Sequence, residues 1–439
     1  MKKKILLINP HIEDFAAYDH FSKPLGLMLL ASCLKEKFDL RFINALDRTH
    51  PALNGMRFHE NGTGHFNRVF IPKPPKVADI PRRFKRYGLP DEVFTAELRK
   101  TGFRPDYIFV TTVMTYWYTG VRHTIALLRK VFGGIPVIAG GVYSSLMPAH
   151  SANASGADKV VGSQRLDAVL SEVSRLTGEE LTLPVDPVPD YSLLGEYYYA
   201  PVYTSLGCIY RCDYCASAVL NTFTRFRPES AAETILALRK NYGVRYFAFY
   251  DDALLIDAEK HIDIVLDTLA RAGFDGNFYT PNGLHIRHLT ETTARLMKRT
   301  GFRDIRLSLE SNDPAFQQSR GAKTTNREFE NSVDILIRSG FRRESIQVYT
   351  LLNTPGQNAD RIDETMRYIN SCGAVPRLAY FSPIPGTPDF ALAEKITPLG
   401  DPLSHNNTVY LYRSGFDREL LERLRQMELN YRRMSETEA

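Results

Sequence analysis

Val202-Tyr-Thr-Ser-Leu-Gly-Cys208-Ile-Tyr-Arg-Cys212-Asp-Tyr-Cys215 is the stretch on which the reading of this chain turns. The run 202–205 predicts a β-strand, and the three cysteines follow in the loop at its C-terminal end, with the spacing CxxxCxxC. The chain has five cysteines. With three of them packed into one loop, they make no disulfide framework, and thiols kept reduced suit a metal site. Three thiolates on one short loop can hold three irons of a cubane cluster, leaving the fourth iron without a protein ligand. Zinc is the competing reading, but it takes four ligands and usually shows paired CxxC or Cys/His spacing. No histidine lies near the loop, and Cys33 and Cys372 stand alone. Cys33 sits in an apolar helical stretch and reads as a small core residue.

Working outward, strands are predicted at 202–205, 245–250, 277–281, 304–309, 345–352 and 377–382, with helices between them. The clearest helix is 258–271, where Ile262, Val265, Leu266 and Leu269 share a face. Six such units predict a partial (β/α)6 TIM-type barrel over 199–395, with its chemistry at the C-terminal strand ends. The first 182 residues alternate in the same way, with strands at 5–8, 40–43, 107–111, 136–139 and 159–161 and a helix at 25–37. This predicts an α/β, doubly wound, Rossmann-like domain over 1–182, with a polar, proline-rich insertion at about 47–100. Leu183-Pro-Val-Asp-Pro-Val-Pro-Asp190 begins a stiff linker over 183–198. A short helical tail over 396–439 ends the chain, with a charged amphipathic helix at 417–434.

Composition is ordinary for a globular protein: 439 residues, 44% hydrophobic, 24% charged and a net charge of +5. The mild basic excess suits anionic ligands without implying nucleic acid. Pro81-Arg-Arg-Phe-Lys-Arg-Tyr87 suits phosphate contact, although a solvated surface segment reads the same way. The apolar run 5–8 is a buried strand, far below the ~18 residues of a membrane helix. A cytoplasmic protein with no secretory signal and no membrane insertion is expected.

CxxxCxxC with an aromatic residue before the last cysteine, here Tyr214, resembles the signature of the radical S-adenosylmethionine (SAM) superfamily. Phe249-Tyr-Asp-Asp252 closes the second barrel strand, where that family places polar groups for the methionine amino group. Arg306-Leu-Ser-Leu-Glu-Ser311 resembles its GxES strand, Asn353-Thr-Pro-Gly-Gln357 its Pro-Gly turn, and Tyr380-Phe-Ser-Pro-Ile-Pro-Gly-Thr387 its PxPGT ending. The resemblance implies that Cys208, Cys212 and Cys215 hold a [4Fe–4S] cluster. It also implies a SAM site at Tyr214, Asp251, Asp252, Ser308, Glu310, Ser311 and Pro383. Carboxylates there accept hydrogen bonds from an ammonium and from ribose hydroxyls, whereas strand-end caps or salt bridges are their ordinary structural role. Arg320 and Lys323 face either a ligand carboxylate or the surface.

Lys23-Pro-Leu-Gly-Leu-Met-Leu-Leu-Ala-Ser-Cys-Leu-Lys35 and Ile138-Ala-Gly-Gly-Val142 are similar to the cobalamin-binding-domain subgroup of that superfamily. Cobalamin contacts are then expected at Pro10, Leu25, Gly26, Thr111, Thr112, Gly140, Gly141, Val142 and Gly162. The helix after Gly140-Gly141 would offer N–H groups to a phosphate or amide tail. Three departures stand out. There is no DxHxxG motif, Gly162-Ser-Gln-Arg165 replaces an acidic turn, and the 47–100 insertion is unusual. A fold inherited without the corrin is the alternative. Thr115-Tyr-Trp-Tyr118 suits either stacking on a flat ligand or core packing.

The implied chemistry is reductive cleavage of SAM to a radical that abstracts hydrogen from a small-molecule substrate. Electrons would come from a low-potential donor such as flavodoxin or ferredoxin. With cobalamin, methyl transfer to an unactivated carbon leads; without it, rearrangement, cyclisation or epimerisation. Methylthio transfer needs further cysteine sets that the chain lacks. A non-catalytic iron–sulfur or zinc binding module is the reading from a different class. No catalytic residue beyond these cofactor contacts is assigned.

Overall fold

The structure is a computed structural model describing residues 2–100, 102, 104–195, 197–321 and 323–437. It divides into two compact units: Met1–Tyr197 with Leu399–Val409, and Tyr198–Pro398 with Tyr410–Ala439.

In the first unit the sheet-forming segments are β1 (Lys4–Asn9), β2 (Ile12–Asp14), β3 (Asp39–Asn44), β4 (Arg68–Phe70), β5 (Lys85–Tyr87), β6 (Tyr107–Val110), β7 (Val137–Ala139) and β8 (Lys159–Val160). Five of them form one parallel sheet in the order β3-β1-β6-β7-β8. Strand side chains alternate between faces, and here both faces are buried. Leu6, Ile8, Ile108, Val110 and Val137 enter one core, while Ile5, Leu7, Phe109 and Ile138 enter another. That is why β1 reads as an unbroken apolar run. The order reverses between β1 and β6, the switch point where doubly wound sheets leave a crevice beyond the strand ends. The 47–100 stretch is built rather than loose. β2, β5 and β4 form an antiparallel sheet, and the helix Asp91–Lys100 buries Phe94 and Leu98 in the first core.

The second unit contributes β9 (Tyr199–Val202), β10 (Ser205–Leu206), β11 (Thr224–Arg225), β12 (Tyr246–Phe249), β13 (Asn277–Tyr279), β14 (Phe302–Glu310), β15 (Ile346–Leu352) and β16 (Val375–Tyr380). Six are parallel and hydrogen-bonded in chain order, from β9 to β12, β13, β14, β15 and β16. This is the open, partial barrel. β9 lies three residues earlier than predicted, because a proline at 201 argues against a strand there in the sequence. An edge strand tolerates proline, since one row of its N–H groups has no partner to lose. The predicted helix 258–271 is broken at His261 (φ −143°, ψ −88°) into a short turn and the helix Ile262–Arg271.

The stretch 396–439 is not one tail. Leu399–Val409 belongs to the first unit. There Asn406 donates to the buried Asp14 carboxylate at 2.8 Å, and His405 Nδ1 pairs with Thr115 Oγ1 at 3.0 Å. Desolvation pushes Asp14 up to about 6 despite the Trp117 and Asn406 donors. The helix Arg418–Thr437 covers Leu352, Ile362, Met366 and Leu378 with Leu420, Leu421 and Leu424. Among the described residues no helix is long and apolar enough to cross a membrane.

The turn after β7 sets a hard constraint. Gly141 has φ +91°, and a Cβ there would lie 2.2 Å from the Thr112 carbonyl oxygen. Around Gly140 a Cβ would meet nothing within 4 Å. Gly141→Ala is therefore expected to lose roughly 1–3 kcal/mol of stability, and Gly140→Ala to stay within about 0.5 kcal/mol of wild type. Denaturant unfolding of the two variants checks the contrast.

Candidate functional site

One cavity of about 350 Å³ lies at the C-terminal ends of the barrel strands. Its wall includes Cys208, Cys212 and Cys215 from the loop after β9, Asp252 after β12, and His285 after β13. Ser308 and Glu310 of β14, Lys323 after it, and Tyr349 of β15 add to the charged and polar lining. With Ala379 of β16, contributions converge from six strands, as expected at the catalytic end of a barrel.

The cysteine loop is fixed by charge. Arg320 pairs with Asp389, whose side chain is fully buried, donates to the Pro355 carbonyl, and lies 3.7 Å from Asp213 within the loop. The Asp389 N–H closes the circuit by donating to the Asp213 carbonyl at 3.0 Å. Arg320 is therefore neither a surface residue nor a ligand contact. It ties the cysteine loop to the turns after β15 and β16.

Glu310 is placed by a backbone irregularity. The β14–β15 register slips between Ser308 and Glu310, and Glu310 itself adopts φ +71°. A bulge re-aims the next side chain, and a left-handed non-glycine residue carries strain of about 1–3 kcal/mol. The carboxylate turned in this way lies 3.2 Å from Lys323 Nζ on the cavity wall. Gly283, at φ +80°, makes room on the opposite side, where a Cβ would sit 2.6 Å from Ser308 Oγ. Burial alone would lower the Lys323 pKa, but Glu310 and Cys212 outweigh it and raise it, so the ammonium persists.

Burial raises the Cys208 thiol and pushes Cys212 up to about 11. As free thiols these groups resist ionisation, so they need positive charge to bind as thiolates. Among the described residues, no three His, Cys, Asp or Glu groups converge as a single-ion site requires. A cubane sets a different demand, because each thiolate takes its own iron. Three cysteines on one cavity wall beside a permanent cation fit that group.

The expected SAM residues separate. Tyr214, Asp252, Ser308 and Glu310 line the cavity. Asp251 does not, because its buried carboxylate accepts from Thr204 N–H (3.1 Å), Thr204 Oγ1 (2.6 Å) and Ser205 Oγ (2.6 Å). It caps the start of the cysteine loop, the structural role of a strand-end carboxylate. Ser311 is buried and its Oγ accepts from the Asp313 N–H, while Pro383 also lies outside the lining. Lys323, Asn282, Gly283 and His285 are cavity residues that sequence reasoning left unassigned or missed. Only the position of 282–285 just past a barrel strand could have signalled them.

In the first unit Pro10, Thr111, Thr112, Gly140, Gly141, Val142 and Gly162 all follow C-terminal strand ends, while Leu25 and Gly26 open the helix Leu25–Leu34. Gly26 and Gly140 leave open space where a Cβ would project, and Thr112 Oγ1 donates to the Gly140 carbonyl at 2.6 Å. The helix after Gly141 is only Val142–Leu146, and the Val142 N–H is already spent on the Thr112 carbonyl. That bond takes one of the N–H groups that the sequence offered to a phosphate or amide tail. Of the Thr115–Tyr118 stretch, Trp117 donates its indole N–H to Asp14 at 2.7 Å, and Tyr116 and Tyr118 are buried. Core packing is their role.

Two substitutions test this geometry. Cys212→Ala should lose most of the roughly four irons held after anaerobic reconstitution. Glu310→Gln should keep the iron but weaken SAM binding about tenfold or more, the usual scale for a hydrogen bond to a charged group. Iron analysis and equilibrium SAM binding measure the two effects.

Residues 202–369 match the family model of the radical SAM superfamily. An uncharacterized methyltransferase of Pyrococcus horikoshii, PH0819, is 22% identical over 436 aligned positions, covering 90% of this chain and 84% of the relative. The fold is similar to that of TsrM from Kitasatospora setae, a radical SAM methyltransferase whose structure holds cobalamin and a [4Fe–4S] cluster. The TM-score is 0.65 at 16% identity, over 95% of this chain and 82% of TsrM. It is also similar to the cobalamin-dependent SAM radical enzyme OxsB, with a TM-score of 0.58 at 12% identity, over 93% of this chain and 57% of OxsB. At these identities the two structural likenesses concern the fold. The family match spans β9 to the helix Asp360–Ser371, the stretch that carries the three cysteines and most of the cavity wall. The stretch that bears the cysteine cluster accordingly carries a radical SAM domain, over residues 202–369.

Proposed function

We propose that this protein is a cobalamin-dependent radical SAM methyltransferase that modifies an unactivated carbon of a small-molecule substrate. The observation that carries the reading is the pairing, in one chain, of a doubly wound unit with a radical SAM barrel. TsrM and OxsB share that two-part fold, and PH0819 bears a methyltransferase name. The two units together account for the chain.

Within the barrel, Cys208, Cys212 and Cys215 are the residues that would hold the cluster. Cluster, SAM and cobalamin together supply the electron transfer and methyl-group chemistry that side chains cannot. The chain's own residues bind and orient. Asp252 and Glu310 accept from the methionine ammonium and ribose hydroxyls, Ser308 adds a hydroxyl, and Tyr214 packs beside the cysteines. Lys323 pairs with Glu310 at 3.2 Å and sets a positive charge beside the thiolates. In the first unit, the loops bearing Pro10, Leu25, Gly26, Thr111, Thr112, Gly140, Gly141, Val142 and Gly162 form the corrin-binding edge, with Gly26 and Gly140 leaving room for a bulky ring. No histidine of a DxHxxG motif is present, so the corrin is held without that ligand. A flavodoxin- or ferredoxin-class donor supplies electrons, and the protein works in the cytoplasm.

Anaerobic reconstitution with iron, sulfide and hydroxocobalamin, followed by desalting, tests the reading. About four irons and about one cobalt per chain are expected. Gly140→Leu should retain the iron and lose most of the cobalt. Full iron with no cobalt in the wild type would defeat the methyl-transfer reading and leave radical rearrangement in its place.

A further inference from the structure

His285 is a cavity residue that the cofactor contacts above do not use. The residue is only 7% exposed, and neither ring nitrogen has a hydrogen-bond partner among the described residues. A buried imidazole with two idle nitrogens is uncommon, because polar groups removed from water normally find partners in the fold. It also lies on the same cavity wall as Cys208, Cys212 and Cys215.

Its orientation is fixed. The imidazole stacks on Tyr210 with ring centroids 4.1 Å apart and planes 18° from parallel. Tyr210 stands between Cys208 and Cys212 in the cysteine loop, and its hydroxyl pairs with His288 Nε2 at 2.7 Å. The ring is thereby pressed flat against the loop, with its nitrogens at the rim of the stack. Its surroundings are cationic. Burial, then Lys323, His288 and Arg287, drive its pKa down to about 2, so the imidazole is neutral and carries one N–H. A neutral donor in a cationic neighbourhood suits an anionic acceptor, and the three thiolates with their cluster are the largest anion this cavity takes.

We propose that His285 donates a hydrogen bond to the sulfur shell of the [4Fe–4S] cluster and thereby raises the cluster's reduction potential. Hydrogen bonds to cluster sulfurs stabilise the more negative, reduced state. His285 is in this sense a positioning and tuning residue rather than a catalytic one. The inference rests on the cluster alone and not on cobalamin or methyl transfer, so it survives or fails independently of the proposed function.

The test is an EPR-monitored redox titration of anaerobically reconstituted wild-type, His285→Phe and His285→Gln proteins at matched iron content, without SAM. Phenylalanine keeps the stack on Tyr210 and removes both nitrogens, whereas glutamine restores a donor. The expected result for His285→Phe is a ratio of reduced to oxidised cluster about tenfold lower at a fixed potential, equivalent to about 59 mV for a one-electron couple. His285→Gln should recover much of it. Equal potentials in all three proteins would overturn the proposal, as would a difference that emerges only after SAM is added. If His285→Phe fails to hold the cluster, pulsed EPR of the reduced wild-type protein, labelled with ¹⁵N-histidine and exchanged into D₂O, decides. A weak histidine nitrogen coupling with an exchangeable proton supports the hydrogen bond. Neither signal, or the strong coupling of direct iron ligation, refutes it.

Discussion

The buried pairing of Arg320 with Asp389 is the interaction on which the site depends. A loop carrying three cysteines at positions 208, 212 and 215 has little secondary structure to hold it. The guanidinium reaches Asp389 after β16, Pro355 after β15 and Asp213 within the loop itself. Removing one partner of such a buried pair typically costs about 3–5 kcal/mol, because the other charge is left uncompensated. Burial still pushes Asp389 up to about 6 with Arg320 beside it, which shows how much desolvation the pair must offset. The same contacts place the thiols on one cavity wall, so stability and cofactor geometry rest on one network.

The second constraint lies in β14. Its bulge and the left-handed Glu310 store strain at the strand end. The return is a carboxylate aimed into the cavity and paired with Lys323 rather than lost to the sheet. Backbone strain held in place by surrounding structure is a common feature of functional sites. In the first unit, Gly141 meets a comparable demand by having no side chain at all.

Much of this was legible in the sequence, for physical reasons. Buried parallel strands are continuous apolar runs, so β1 and β6 announce themselves, and CxxxCxxC is a local pattern that needs no tertiary context. Asp251 and Asp252 show the limit. Both lie in the turn just past β12, where one caps Thr204 and Ser205 while its neighbour lines the cavity, and no local signal separates them. Arg320 was opaque because its partners lie 69 and 107 residues away in the chain at Asp389 and Asp213. β9 was displaced by a proline that only an edge strand tolerates. The return of Leu399–Val409 to the first unit was hidden because its anchors, Asn406 and His405, are ordinary polar residues in a loop.

The central claim is that three thiolates hold a cluster with one iron open to SAM, in a cavity whose charged wall receives that ligand. The most direct measurement is the EPR spectrum of the reduced, reconstituted protein before and after addition of SAM carrying ¹⁷O in its carboxylate. The account predicts a changed cluster signal with ¹⁷O coupling to a single iron. An unchanged spectrum, at full iron content and with SAM demonstrably bound, would contradict it.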